Sequence, residues 1–143
     1  MKNIRVAMVI DAKLINLWSL ECSYGVTSHT TAVERLTGLL ESEDDQVWVF
    51  EPAHSVLGWI QLFKAHRVVG LAFTEISGWV VDPRSINKGI GRKLIAWVTQ
   101  LSKSQNMALR VRCNVKRHGP SPCYAHTGFT LTKIQPMSLV HVV

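Results

Sequence analysis

The sequence predicts a mixed α/β (α+β) fold with a central, mostly antiparallel sheet of about six strands and about four flanking helices. The first observation behind this prediction is the order of hydrophobic patterns, which reads β-α-α-β-β-β-α-β-α-β. The second is a single strand-helix-strand unit in the second half, which predicts one parallel crossover within the sheet. The length of 143 residues, without an internal repeat or a linker-like tract, predicts one domain spanning residues 1–143.

The first two predicted elements are a strand and an amphipathic helix. Ile4, Val6 and Met8 occur at every second position, which predicts a strand with one buried face. Asp11 then stands at the N-cap position of a helix, because apolar residues follow it at spacings of three and four up to about Cys22. The N-terminal part is therefore expected to form a β-α unit.

A second helix and a pair of strands follow. Thr31 and Glu34 match a capping box ahead of an apolar helical pattern that ends near Glu41. Residues 46–50 are rich in β-branched and aromatic types, and a second such run covers 56–63 after a break at a proline. The short separation of these runs predicts an antiparallel hairpin.

The second half contains the predicted crossover. Residues 68–81 are strand-like, but Ser77 and Gly78 interrupt them, and glycine inside a strand often marks a β-bulge or a close approach of a ligand to the backbone. A helix follows Gly89, and residues 107–115 form a further strand in which apolar residues alternate with arginines. The helix is predicted to bury Ile90, Leu94, Trp97, Val98 and Leu101.

The C-terminal part predicts a short helix that opens at 120–124 and is ended by Gly128, and then a last strand from about Phe129 to Val140. This last strand is apolar enough either to close the sheet of its own chain or to pair across a homodimer. The sequence leaves both arrangements open.

Charge and cysteine content narrow the function classes. The formal net charge of +6 allows nucleic acid, an anionic membrane surface, a polyphosphate ligand or simple solubility. The basic residues do not interleave with aromatics along one strand, which favours a single phosphorylated ligand over nucleic acid. Cys22, Cys113 and Cys123 form an odd set without a Cys-x-x-Cys pair, and the 6 histidines lack zinc spacing, so we expect neither disulfides nor a metal.

No apolar run approaches the roughly 20 residues that a membrane-spanning helix needs. The first residues carry charge but lack the long apolar segment of a signal peptide. We therefore expect no membrane partner and a cytoplasmic location.

A glycine-bearing helix start is the most informative feature of the sequence. The apolar residues 79–81 are stopped by Asp82 and Pro83, and after a loop the segment Lys88-Gly89-Ile90-Gly91-Arg92 opens the helix. The N–H groups of a first helical turn have no partner within the helix, and the helix dipole there favours an anion. Two glycines also let a ligand approach the backbone closely, so the segment predicts a phosphate-binding site.

This segment and its surroundings resemble a known family. Residues 75–83, Glu-Ile-Ser-Gly-Trp-Val-Val-Asp-Pro, followed by Lys-Gly-Ile-Gly-Arg-Lys-Leu at 88–94, are similar to the acyl-CoA-binding motif of the GNAT superfamily of N-acetyltransferases. Asn114 to Gly119, Cys123-Tyr124 and Thr127 to Phe129 are similar to a later segment of that family. The element order matches as well, so the resemblance covers nearly the whole chain.

Several residues depart from the family pattern. Ile86 stands where the family usually has Gln or Arg, and Asn87 replaces a common glycine. Cys123 replaces a phenylalanine, and Pro122, with Ser121 before it, stands where basic or polar residues are often found. These departures bear on how CoA would be held.

The resemblance implies an N-acetyltransferase that transfers an acetyl group from acetyl-CoA to a primary amine of a small molecule or peptide by direct attack. Backbone N–H groups of 88–92 would hold the pyrophosphate, residues 79–81 would pair with the pantetheine arm like an added strand, and Asn114 would contact that arm or the following turn. The implied donor-binding residues are Trp79, Val80, Val81, Lys88, Gly89, Ile90, Gly91, Arg92 and Asn114.

The resemblance also assigns catalytic and acceptor residues. Glu75 is the candidate general base, because an alkylamine with a pKa of roughly 10 must lose a proton before it attacks. Tyr124 is the candidate general acid for the departing thiolate. An exposed or ion-paired Glu75 and a core-packed Tyr124 are the alternatives. Tyr24 and Glu21 lie where the first helices of the family form the acceptor pocket, so they are the candidate substrate contacts.

A second hypothesis for the function is a GNAT-like module that binds acyl-CoA or a protein partner with weak or no catalysis. Ile86, Pro122 and Cys123 favour this hypothesis, whereas the presence of Glu75 and Tyr124 favours an enzyme.

Overall fold

The structure is a computed structural model, which describes the backbone of residues 3–21, 27–114, 130–135 and 138–142, and the side chains of 3–17 and 27–111. A 7-stranded sheet with the order β1-β2-β3-β4-β5-β7-β6 forms the centre of this described part. Its strands are β1 (Ile4–Val6), β2 (Asp45–Phe50), β3 (Gly58–Ala65), β4 (Phe73–Val81), β5 (Ala108–Asn114), β6 (Thr130–Gln135) and β7 (Ser138–Val142). The α-helices of the described part are α1 (Ala12–Glu21), α2 (His29–Glu41) and α3 (Ile90–Ser104).

The pairing within the sheet is mixed, as the sequence predicts. Strands β1 to β4 pair antiparallel in order, β4 and β5 pair parallel across the α3 crossover, and β7 pairs antiparallel with both β5 and β6. The mixed α/β fold, the β2–β3 hairpin and the single parallel crossover are thereby confirmed.

Helix α3 covers one face of the sheet, and α1 and α2 cover the other. On β3, Ile60 belongs to the buried cluster that contains Leu94 and Val98 of α3, whereas the preceding Trp59 belongs to the cluster that contains Leu36 of α2. Successive side chains of a strand point to opposite faces, so these two clusters lie on opposite sides of the sheet. Burying a large aliphatic side chain contributes roughly 1.5–3 kcal/mol, so both clusters hold the helices on the sheet.

A β-bulge interrupts β4 at Ser77. On the neighbouring strand, Gln61 is the register partner of Gly78 and Leu62 is the partner of Ile76, which leaves Ser77 as the extra residue. The predicted interruption at Ser77 and Gly78 is thus confirmed as a bulge. A bulge shifts the alternation of side chains by one residue, so residues before and after Ser77 differ in phase.

Strands β4 and β5 are register partners over only part of their length. Their pairing runs from Phe73 and Ala108 to Ile76 and Val111. Beyond that point β4 continues to Val81 alongside β3, while β5 continues alongside β7. The parallel pair therefore opens toward the end of β4, which leads into α3.

The N-terminal unit differs in detail from the sequence prediction. Strand β1 ends at Val6, and both Val6 and Met8 are about half exposed, whereas Ala7 is buried. A 3-10 turn at Val9–Asp11 follows, in which the Asp11 side chain accepts a hydrogen bond from the Met8 N–H at 2.7 Å. The predicted burial of Val6 and Met8 is wrong because both alternate with the buried Ala7 and therefore lie on the opposite, exposed side of the chain.

Helix α2 begins earlier than the predicted capping box. Ser28 is its N-cap, and the Ser28 hydroxyl accepts a hydrogen bond from the Thr31 N–H at 3.1 Å. Thr31 is thus inside the first turn, and the predicted pairing of Thr31 with Glu34 is wrong. Serine is the stronger N-cap type, which explains why the helix starts at the earlier residue.

The predicted strand from Val68 is also too long. Strand β4 begins at Phe73, and Val68, Val69 and Leu71 have relative exposures of 105%, 79% and 88%. Gly70 adopts φ +94°, a left-handed conformation that ends extended structure. Although its composition is apolar, this segment is therefore an exposed connection between β3 and β4.

The predicted last strand is two strands, β6 and β7. Pro136 stands between them in the sequence, and proline cannot donate a backbone hydrogen bond to a sheet. Strand β7 lies between β5 and β6 in the same chain, so the terminal strand closes the sheet of its own chain. The predicted helix at 120–124 lies outside the described residues.

Candidate active site

The first turn of α3 has backbone N–H groups that no hydrogen bond within the helix can use. Gly89 is the N-cap, has φ +77° and makes no side-chain cap hydrogen bond. The first intrahelical bond in this turn is donated by the Lys93 N–H to the Gly89 carbonyl at 3.1 Å. The preceding N–H groups of Ile90, Gly91 and Arg92 have no partner position within a helix, so they are available to an anion.

The loop that leads to this helix is fixed at its start. Asp82 is buried, and its carboxylate accepts a hydrogen bond from the Arg84 N–H at 3.0 Å. Its own N–H donates to the Leu57 carbonyl at 2.8 Å. Asn87 has φ +71°, so the residue that replaces a common family glycine keeps the left-handed conformation, which asparagine tolerates better than most side chains. The departure at Asn87 therefore leaves the path of the loop intact.

The first turn of α3 packs against the end of β4. A Cβ placed on Gly91 would lie 3.4 Å from Cζ2 of Trp79 and 3.6 Å from Cγ2 of Val81. The structure thus brings together Gly91, Trp79 and Val81, which the resemblance assigns to donor binding. These are ordinary van der Waals distances, so position 91 lies directly against the strand.

The other described donor-binding candidates divide by exposure. Lys88, Gly89 and Arg92 are exposed around the helix start, which places two cationic side chains beside the free N–H groups. Ile90 is 4% exposed and Val80 is 2% exposed, and both side chains belong to the core. These two residues can therefore offer only backbone groups to a ligand.

Glu75 lies on the far side of the bulge from the helix start. It is half-buried on β4, where its register partners are Phe63 on β3 and Arg110 on β5. Its neighbour Ile76 belongs to the cluster beneath α3, so the Glu75 side chain is on the face that α1 and α2 cover. The phase shift at Ser77 returns Trp79 and Val81 to the α3 side, where they pack against that cluster.

Several predicted site residues fall outside the described side chains. Tyr124 and Tyr24 lie outside the described residues altogether. Only the backbone is described for Asn114, the last residue of β5, and for Glu21, the last residue of α1. The predicted roles of these four residues stay predictions.

Sequence reasoning missed one neighbour of Glu75, the residue Arg110. Arg110 lies in register beside it, and the Arg110 guanidinium stands 3.9 Å from the centre of the Phe73 ring. The alternation of arginines in residues 107–115 indicated only that Arg110 points away from the core. Its position beside Glu75 depends on the register of two parallel strands, which no local pattern reports.

The described part of the chain has neither a cluster of metal-binding side chains nor a helix that could span a membrane. The described side chains contain no group of three or more His, Cys, Asp or Glu residues that could hold a metal ion. Among the described helices, none is both long enough and apolar enough to span a bilayer.

Solved structures with the same fold include several N-acetyltransferases. PaiA N-acetyltransferase from Thermoplasma acidophilum, in complex with coenzyme A, is 13% identical with a TM-score of 0.75, over 97% of this chain and 96% of that chain. Ard1 from Thermoplasma volcanium is 21% identical with a TM-score of 0.75, over 98% and 96% of the two chains. An aminoglycoside 6'-N-acetyltransferase complexed with coenzyme A is 12% identical with a TM-score of 0.75, over 98% and 95%.

At these identities the likeness establishes the fold, and a sequence comparison with curated proteins gives no match. The family is shown by a sequence model of the acetyltransferase (GNAT) family, which matches residues 13–129. The match spans most of the chain, from α1 through β5 and beyond. The chain therefore belongs to the acetyltransferase (GNAT) family.

Proposed function

We propose that this protein is an N-acetyltransferase that transfers an acetyl group from acetyl-CoA to a primary amine by direct attack. The observation that carries the proposal is the start of α3, where a left-handed glycine N-cap leaves the first-turn N–H groups without a side-chain cap. This start lies against Trp79 and Val81 at the end of a strand whose parallel partner has diverged. A pyrophosphate at the helix and an extended arm along the strand suit this arrangement.

The residues present fit the donor. The N–H groups of Ile90, Gly91 and Arg92 would hold the pyrophosphate, and the exposed side chains of Lys88 and Arg92 would add charge-assisted hydrogen bonds. The backbone of Trp79 to Val81 would hold the pantetheine arm, with Asn114 contacting the arm or the following turn. Acetyl-CoA supplies an activated thioester carbonyl when it is bound.

The proton transfers are assigned to Glu75 and Tyr124. Glu75 would accept a proton from the acceptor ammonium group, directly or through a water, so that the neutral nitrogen can attack. The new N–C bond forms as the C–S bond breaks, and Tyr124 would give its phenolic proton to the sulfur that leaves. The half-buried position of Glu75 beside the opening between β4 and β5 supports the first assignment, and the family resemblance supports the second.

The acceptor site is assigned to the face that carries Glu75. Helices α1 and α2 pack on that face, and Tyr24 and Glu21 are the candidate acceptor contacts from α1 and the residues after it. Structures of this fold include enzymes named for an aminoglycoside and for spermidine, so the fold itself accommodates chemically different amines.

The alternative proposal is a module that binds acyl-CoA or a protein without turning over. Ile86 is the observation in its favour, because it is 57% exposed in the loop before Gly89, at a position where the family usually has Gln or Arg. An apolar side chain there offers no hydrogen bond to the outer phosphates.

The experiment that separates these proposals is a panel of amines with acetyl-CoA, scored by release of free thiol. An enzyme gives amine-dependent thiol release that falls at least roughly a hundredfold in Glu75→Gln and in Tyr124→Phe, since general acid-base groups contribute about 10²–10⁴-fold. Unchanged CoA binding in both variants would place their effect on the transfer step. CoA binding without thiol release for any amine would favour the binding module.

A further inference from the structure

An arginine stands beside Glu75 that the transfer described above does not use. Glu75 and Arg110 are register partners on the parallel strands β4 and β5. Strands paired in this way lie roughly 4.8 Å apart. Leu109 and Val111 are both buried beneath α3, so the Arg110 side chain points to the opposite face, which is also the face of Glu75.

The Arg110 side chain is held in place from the strand next to it. Its guanidinium carbon lies 3.9 Å from the centre of the Phe73 ring, within the distance of a cation–π contact. Its Nε is buried and has no hydrogen-bond partner among the residues that the structure describes. A buried donor without an acceptor is costly, so an anion that reaches this nitrogen is favoured.

A second cation approaches the same aromatic ring. The guanidinium carbon of Arg67 is 5.9 Å from the centre of Phe73. Gly70, with φ +94°, lies directly against this side chain, because a Cβ there would lie 3.3 Å from the Arg67 guanidinium. Two guanidinium groups therefore lie around one ring, and the positive potential that they create favours a bound anion.

We propose that the acceptor is a free amino acid, whose carboxylate binds Arg110 with help from Arg67 while its amine lies at Glu75. This inference rests on the proposed acetyl transfer and names the substrate class for it. The spacing of register partners matches a molecule whose amine and carboxylate are only a few bonds apart. Arginine suits a carboxylate because its planar fork donates two parallel hydrogen bonds.

Matched pairs of acceptors test this proposal. Each amino acid is compared with its own carboxamide, which keeps the side chain and the primary amine but removes the negative charge. Thiol release from acetyl-CoA gives kcat/KM for both members of each pair. The proposal expects the amino acid to be favoured roughly tenfold to hundredfold for the side chain that fits, the size of a hydrogen bond to a charged group.

Arg110 variants decide whether that preference comes from the assigned residue. Arg110→Gln is expected to remove most of the preference while the rate with the carboxamide stays within about threefold, and Arg110→Lys is expected to retain part of it. Arg35→Gln, at an exposed position of α2, is the matched control and keeps the full preference.

Three outcomes would overturn the proposal. Equal or faster reaction of the carboxamides would show that Arg110 does not select a carboxylate, with the acetyl transfer itself intact. An equal loss for both members of a pair in Arg110→Gln would assign Arg110 a structural role, such as an ion pair with Glu75. Absence of thiol release with every amine would contradict the acetyl transfer and this inference together.

Discussion

The indole ring of Trp59 occupies the space that a side chain at position 78 would need. A Cβ on Gly78 would lie 2.5 Å from Cζ3 and 2.6 Å from Cη2 of Trp59, closer than real contacts permit. Gly78 follows the bulged residue Ser77, and Trp59 is only 6% exposed on the neighbouring strand. The contact fixes the strand where its side chains change phase, between Glu75 on one face and Trp79 on the other.

The first prediction concerns this contact. Gly78→Ala is expected to lower the free energy of unfolding by roughly 1–3 kcal/mol, because overpacking a buried site forces side chains or backbone to shift. Urea unfolding followed by fluorescence measures the change. Adding Trp59→Phe, which removes the outer ring atoms, is expected to recover part of the loss.

Gly38→Ala is the matched control for that experiment. Gly38 lies in α2, and a Cβ there meets nothing within 4 Å. Alanine in a helix interior is expected to stabilise the protein by about 0.5–1 kcal/mol. Equal effects of the two substitutions would contradict a special role for Gly78.

The second prediction concerns the N-cap of α3. Gly89 has φ +77° and open space around its Cα, so Gly89→Ala costs backbone strain without a steric clash. We expect a loss of about 1–2 kcal/mol of unfolding free energy for Ala. Gly89→Asn is expected to lose less, because asparagine adopts this conformation more readily. Equal losses for Ala and Asn would argue against a left-handed Gly89.

The third prediction concerns an ion-pair network at the start of α1. Arg5 donates hydrogen bonds of 2.9 and 3.0 Å to the buried Asp11 carboxylate, and of 3.2 Å to Glu51. Asp11→Asn is expected to cost roughly 2–4 kcal/mol, because it removes one partner of a partly buried pair. Glu51→Gln, at a more exposed partner, is expected to cost about 1 kcal/mol or less. Thermal or urea unfolding measures both values, and a larger loss for Glu51→Gln would contradict the account.

The pH dependence of the Arg5 contribution has a definite sign. The hydrogen bonds that Arg5 donates to Asp11, and then those to Glu51, raise the pKa of Arg5. A raised pKa means that the stabilisation is fully present below the ordinary pKa of a guanidinium and is lost only at more alkaline pH. Arg5 therefore contributes no slope to the stability between about pH 5 and 9.

The fourth prediction concerns the exposed connection between β3 and β4. Val69 is 79% exposed, and β4 begins only at Phe73. Val69→Ser is therefore expected to change the unfolding free energy by less than about 0.5 kcal/mol, as at other exposed positions. A loss of 1 kcal/mol or more would instead support a strand that starts at Val68.

The sequence alone predicts the parts of this fold that depend on local patterns. The α3 crossover follows from helical spacing after Gly89, and the bulge follows from a glycine inside a strand-like run. The segment from Val68 has strand-like composition, yet the left-handed Gly70 leaves it exposed, and composition does not report such a conformation.

Local sequence patterns likewise predict only part of the candidate site. Its helix N-terminus is a contiguous motif, which the structure confirms as an uncapped first turn with Gly91 packed on Trp79 and Val81. The pairing of Glu75 with Arg110 joins residues from two strands, and such a register depends on the whole sheet. Local sequence patterns therefore find the glycine-bearing helix start but miss the neighbour of the proposed base.

The binding of CoA to the start of α3 is the central claim, and calorimetric titration of CoA into the purified protein tests it most directly. The account predicts one site per chain, an affinity that falls as salt is raised, and a loss of roughly fivefold to tenfold in Arg92→Gln at the first turn. Lys103→Gln, at an exposed position in the last turn of the same helix, is predicted to leave the affinity unchanged. Absence of binding, or equal weakening by the two substitutions, would contradict the claim.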